Sequence, residues 1–190
     1  MPKDQWSLGN LFCYSFRAVI MDKRYPLLII ASIALILLGV NSRSTPFGAG
    51  EKVKIVRCHD GDTCTTDKGE KIRLACIDAP ELKQPFGKAS RDHLRAIIKD
   101  RPVKIDRINT DRFGRTIAVL YVMDSGKWQA VQSLQASSGT VWAFDRFKRN
   151  CPIWSSIDRE FKIAQSKKIG LFADRQAIEP WTWRQNEKPR

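Results

Sequence analysis

A chain of 190 residues leaves room for one folded domain and an appended segment, and excludes two full domains. An apolar share of 43% suits a globular core, and a formal charge of +13 makes polyanions, whether nucleic acid or an anionic membrane face, the natural partners. The basic residues are spread along the chain, which excludes a disordered basic arm, and no internal repeat is present.

The first expected element is a hydrophobic helix. Residues 25–40 carry no charge and are apolar apart from Ser32 and Gly39. At ~1.5 Å per residue they span roughly 24 Å, slightly less than a ~30 Å hydrocarbon core. Lys3, Arg17, Lys23 and Arg24 precede the run against only Asp4 and Asp22, a bias that keeps the N-terminus in the cytoplasm and sends the rest across the membrane. The expected division is a basic segment 1–24, a transmembrane or signal-anchor helix 25–41, a Ser/Gly/Pro linker 42–51, a domain 52–184 and a tail 185–190. The stretch around Leu38, Val40 and Ser42 is not a clean small-x-small cleavage site, which favours an uncleaved anchor over a removed signal peptide. Either way the domain is expected outside the cytoplasm, periplasmic or extracellular, and secreted if the segment is cleaved.

Cys58, Cys64, Cys76 and Cys151 fall in the exported part, and four cysteines allow three pairings. Cys58 and Cys64 are symmetric about Gly61, so a hairpin turn there places them opposite each other and favours that bridge; four reduced thiols is the alternative.

Residues 52–58 alternate valine and isoleucine with polar side chains, the period of a half-buried strand. Asp60 and Gly61 signal a turn, a returning strand begins at Thr63, Gly69 marks a second turn, and residues 71–77 form a third strand. Residues 87–99 place Ala89, Leu94, Ile97 and Ile98 at helical spacing. Strands follow at 103–108 and 116–123 around a turn at 111–115, then helices at 129–137 and 157–168, with Gly170 as the stop of the last. The expected class is α+β, and five short meandering strands suit a small closed barrel such as the OB-fold, here with three helices.

Three polar clusters carry the chemistry. They are Asp60, Gly61, Asp62 and Thr63; then Arg73 through Asp78, Ala79, Pro80 and Glu81; then Asp111, Arg112, Phe113, Gly114 and Arg115. Carboxylates suit hard cations that take oxygen ligands, and guanidinium forks match phosphate oxygens. Asp62 and Asp78 with the Ala79 carbonyl form a reasonable half-shell for Ca2+, and Glu81 is close enough to hold a water. One strain is visible: Arg73 lies five residues before Asp78, an odd spacing that puts the two on opposite faces of a regular strand. A bulge or bend between them is required. Asp111 is expected to cap its turn, and Asp60 serves either as a turn former or behind a metal ligand. Phe113 either stacks on a base or packs, and neither His59 nor His93 is expected in the site.

With these motifs in order, the segment from Lys52 to Arg184 resembles the thermonuclease family, the staphylococcal-nuclease-like domains, down to the ending Pro180, Trp181, Thr182, Trp183, Arg184. The resemblance implies a five-stranded OB barrel and a Ca2+-dependent, sequence-nonspecific phosphodiesterase acting on DNA or RNA, single-stranded or duplex, and leaving a 3′-phosphate. It implies calcium on Asp62, Asp78 and Ala79, water activation by Glu81, and phosphate contacts from Arg73 and Arg115. Arg112 and Phe113 are the substrate-binding candidates. The chain is expected to act as a monomer, held to the membrane by its N-terminal helix. The alternative is a catalytically weak nucleic-acid-binding OB-fold module.

Overall fold

The computed structural model describes residues 50–187, all within the compact unit Thr45–Arg190. The expected segments 1–24, 25–41 and most of the linker lie outside the described residues. Among the described residues no helix is long and apolar enough to cross a membrane.

Strands β1 (Glu51–Val53) and β2 (Ile55–Cys58) are two halves of one extended segment interrupted at Lys54. They are followed by β3 (Thr63–Thr66), β4 (Lys71–Leu74) and β5 (Ile77–Asp78), helix α1 (Gly87–Ile98), and β6 (Val103–Thr110), β7 (Thr116–Asp124) and β8 (Lys127–Ala130). Helix α2 (Val131–Ser137), β9 (Trp142–Ala143), α3 (Trp154–Ser166) and α4 (Pro180–Asn186) complete the order. The main sheet runs β1-β6-β7-β4-β3-β2, so it curls until its two ends are the two halves of the first segment. The β4–β7 pairing is parallel and the other pairings are antiparallel.

The α+β class and the curled, OB-like sheet match expectation; the counts do not. The main sheet has seven strands rather than five, because Lys54 divides the first and β8 folds back on β7. Residues 129 and 130, expected to open a helix, belong to β8, because Ser125 and Gly126 (φ 48° and 78°) form a tight left-handed turn that returns the chain. The four α-helices among the described residues include an unexpected one at Pro180–Asn186, with proline in the first turn where its missing N–H costs nothing.

The core lies inside the curl. Ala118, Val119, Leu120, Tyr121 and Val122 of β7 are all buried, as a strand covered on both faces must be. Helix α1 buries Gly87, Ser90, Leu94 and Ile97, one stripe at spacings of three and four. Leu94 has no exposed surface, and trimming it to alanine would cost about 2–5 kcal/mol. The small residues of the stripe permit close approach: a Cβ on Gly61 would lie 1.9 Å from Ser90 Oγ, and one on Gly87 would lie 1.9 Å from the Glu81 carbonyl oxygen. The helix thereby clamps both the turn that carries Asp62 and the loop that carries Glu81. Helix α2 ties in through two buried glutamines. Gln132 donates to the Ala118 carbonyl and accepts from the Leu120 amide, while Gln135 donates to the Gly61 carbonyl. A polar side chain this deep is tolerated because each amide finds a backbone partner.

Candidate active site

Asp62 ends the turn between β2 and β3. Asp60 Oδ1 accepts the Asp62 amide at 3.0 Å, a local turn bond. Cys58 and Cys64 face each other across the two strands and are joined in a disulfide, the favoured sequence pairing; the other disulfide joins Cys76 to Cys151. Thr63 sits opposite Arg73 on β4, which brings Asp62 to the end of that strand.

The odd spacing of Arg73 and Asp78 is resolved at Cys76. Its φ of 72° puts a non-glycine residue in the left-handed region and breaks the strand between β4 and β5, so the side-chain alternation resets. Arg73 Nη1 donates to the Leu74 and Ile77 carbonyls at 2.6 and 2.8 Å, stitching the bend. The same guanidinium reaches Asp62 Oδ1 through Nε at 3.2 Å and Asp78 Oδ1 through Nη2 at 3.0 Å. One arginine therefore bridges two carboxylates that are 5% and 2% exposed.

Each carboxylate has other donors. Asp62 Oδ1 accepts the Thr63 hydroxyl at 3.0 Å, and Asp62 Oδ2 accepts the Ala79 amide at 2.6 Å. Asp78 Oδ2 lies 2.6 Å from Nη2 of Arg184, whose Nη1 reaches Glu81 Oε1 at 2.8 Å. Burial pushes the Asp62 carboxyl up to about 6 despite the opposing Arg73, and burial likewise raises Asp78 against the pull of Arg184 and Arg73. Burial works against the charge on Arg184, but its bonds to Asp78 and Glu81 outweigh that and raise its pKa.

The expected residues are thus partly gathered. Asp62, Arg73, Asp78 and Ala79 form one bonded group, and Glu81 joins it through Arg184. Among the described residues no three His, Cys, Asp or Glu side chains are grouped as a metal site. The donor set nevertheless suits a hard cation: Asp62, Asp78 and Glu81 outnumber Arg73 and Arg184 by one charge, and two of the three are buried.

Arg115 stands just before β7, whose Thr116 and Ile117 pair with Ile72 and Arg73. Strand alternation puts Arg115 on the face of Ile117, hence on that of Arg73, about 7 Å further along. Its guanidinium is held by Asp111 at 2.7 Å, and Asp111 also accepts the Phe113 and Arg115 amides, the expected turn cap. Phe113 is 68% exposed, with the guanidinium carbons of Arg112 and Arg115 at 4.8 and 5.5 Å from its ring centre. Neither histidine enters the carboxylate group: His59 pairs with Thr65 and His93 with Gln135.

The residue that sequence reasoning missed is Arg184. Trp181 stacks on Phe144 at 5.3 Å and meets Trp142 edge-on, and Trp142 is the register partner of Asp78. Helical spacing of three then aims Arg184 from the same face. Gln84 supports the arrangement, accepting the Glu81 amide and donating to the Ile178 carbonyl.

A curled OB-like sheet with paired carboxylates and arginines gathered around the end of β4 describes a phosphodiester-cleaving enzyme, and the chain belongs to the family of staphylococcal nuclease homologues, whose model matches residues 71–174. It is 37% identical over 139 residues to an uncharacterized endonuclease of Haemophilus influenzae, covering 71% of this chain and 74% of that protein. It is 34% identical over 179 residues to protein ParB of Escherichia coli, covering 90% and 98%. Micrococcal nuclease of Shigella flexneri is 31% identical over 153 residues, covering 76% and 87%. The chain is a nuclease of the hydrolase class.

Proposed function

We propose that this nuclease is Ca2+-dependent and sequence-nonspecific, hydrolysing DNA or RNA to 3′-phosphate products outside the cytoplasm. The observation that carries the reading is the buried Asp62–Arg73–Asp78 group. Asp62, Asp78 and the Ala79 carbonyl would hold the calcium, which when bound supplies charge to polarise a phosphoryl oxygen. Arg73 uses four of the five N–H groups of a guanidinium on Asp62, Asp78, Leu74 and Ile77, leaving one for a phosphate oxygen. Arg115, on the same face, presents a second guanidinium to that phosphate. Glu81 accepts the proton of the attacking water as its oxygen bonds to phosphorus, and the bond from phosphorus to the 5′ oxygen breaks, that oxygen taking a proton from solvent. The two arginines face charge that grows as the phosphorus becomes five-coordinate. Arg112 and Phe113 form a stacking and charge platform for a single strand.

The extracytoplasmic placement draws support from two disulfides, which persist in oxidising compartments. The charge-free run at residues 25–40 supports a membrane anchor. The polyanion partner is supported by the charge of +13.

The test is cleavage of single-stranded DNA and of RNA by the purified full chain with calcium, with the new termini assayed for 3′-phosphate. Products ending in 3′-hydroxyl would refute the stated bond choice. Wild-type activity in Glu81→Gln would refute the role given to Glu81.

A further inference from the structure

Arg184 lies 106 residues from Asp78 in sequence, yet its guanidinium closes the carboxylate group from the outside. Asp62 Oδ1, Asp62 Oδ2 and Asp78 Oδ1 each accept from Arg73, Thr63 or Ala79, and Asp78 Oδ1 also accepts from Arg184 Nη1 at 3.4 Å. Among the described residues Asp78 Oδ2 accepts from Arg184 alone, at 2.6 Å. Among the described residues the arginine is therefore the sole donor on one buried carboxylate oxygen, and with Nη1 it pairs with Glu81 as well.

We infer that Arg184 is the resident counter-cation of this site, occupying Asp78 Oδ2 until a divalent ion displaces it. The inference rests on the calcium reading above. The exchange is of one hard positive group for another at the same oxygen. Arg73 still pairs Asp78 Oδ1, but leaving Oδ2 buried without a donor in the absence of metal would be costly, which is the physical reason for a second internal cation. The C-terminal helix can yield its guanidinium without undocking. Trp181 remains stacked on Phe144, and Gln84 still holds the Ile178 carbonyl. Arg184 is already 42% exposed at its side chain, so its head can swing toward solvent or a substrate phosphate while the stem stays in place. Arg184 is thus a positioning residue, setting how readily the cation enters rather than reacting itself.

The experiment is calorimetric titration of calcium into the metal-stripped full chain without nucleic acid, comparing wild type with Arg184→Gln and Arg184→Lys. Removing the competitor should tighten calcium binding about tenfold in Arg184→Gln, with Arg184→Lys between it and wild type. In EDTA, Arg184→Gln should melt below wild type, and saturating calcium should close that gap. A further reading uses wild type alone: the Nε–H resonance of Arg184 should shift on calcium addition. Equal or weaker calcium affinity in a folded Arg184→Gln would overturn the inference while leaving the calcium reading intact. An unmoved Arg184 resonance at calcium saturation would do the same should Arg184→Gln not fold. Absence of calcium binding in every protein would instead overturn the calcium reading and this inference with it.

Discussion

Nη2 of Arg73 lies 3.0 Å from Oδ1 of Asp78 although the two residues are separated by a break in the strand at Cys76. The contact makes Arg73 a structural residue as well as the proposed phosphate ligand. Arg73→Ala leaves two buried carboxylates short of a partner and should cost about 3–5 kcal/mol in denaturant unfolding without metal. Asp62→Asn added to it should recover part of that loss. Arg73→Lys should recover little, because a point charge cannot reach both carboxylates at once.

A pH dependence follows from Asp62. Its carboxyl is pushed up by burial from 3.8 to about 6. Between those values the folded chain binds a proton that the unfolded chain releases. The Asp62 contribution is therefore full below the unfolded pKa and lost as pH rises through about 6, a change on the order of 3 kcal/mol. Glu70 acts with the opposite sign: its bond from Arg107 lowers it from 4.5 to about 2, so its contribution is present above the first value and lost as pH falls through the second. Urea midpoints measured across this range in EDTA should show the first decline in wild type and a smaller one in Asp62→Asn, the remainder coming from Asp78, which burial also raises.

The two disulfides differ in the loops they close. Cys76 and Cys151 are 75 residues apart, and Cys58 and Cys64 are six apart. Chain entropy alone predicts losses of ~4 kcal/mol for removing the first and ~2 kcal/mol for the second. Unfolding of the paired Cys→Ala variants checks the order. The shorter bridge should matter more to activity, because it pins the turn that carries Asp62.

Phe113 is an exposed ring flanked by two guanidinium groups. Phe113→Ala should leave stability within about 0.5 kcal/mol of wild type. If a base stacks on the ring, binding of single-stranded DNA should weaken by about 1–3 kcal/mol, seen as a higher KM. Unchanged KM would remove Phe113 from the substrate path.

Much of this site was legible in the sequence because its parts are local. Asp62 sits in a turn that glycine marks, and Asp78 closes a strand two residues before Pro80. The spacing of Arg73 and Asp78 demanded a bend, though nothing named Cys76 as the residue that would make it. Arg184 was illegible for a different reason. Its tryptophan neighbours advertised packing, and only the fold discloses that they pack beside the register partner of Asp78. The hairpin that extends β7 into β8 was hidden because Gln129 and Ala130 suit either a helix start or a strand end. The roles of Gln132 and Gln135 had no local signal, because their partners come from the sheet and the Asp62 turn.

The central claim is that Asp62 and Asp78 hold a catalytic cation beside Arg73. The most direct measurement is cleavage of end-labelled single-stranded DNA by wild type and Asp78→Asn, each with calcium and then with excess EDTA. Wild type should cut with calcium and stop on chelation, while folded Asp78→Asn should stay silent throughout. Undiminished cutting in EDTA, or by Asp78→Asn, would contradict the account.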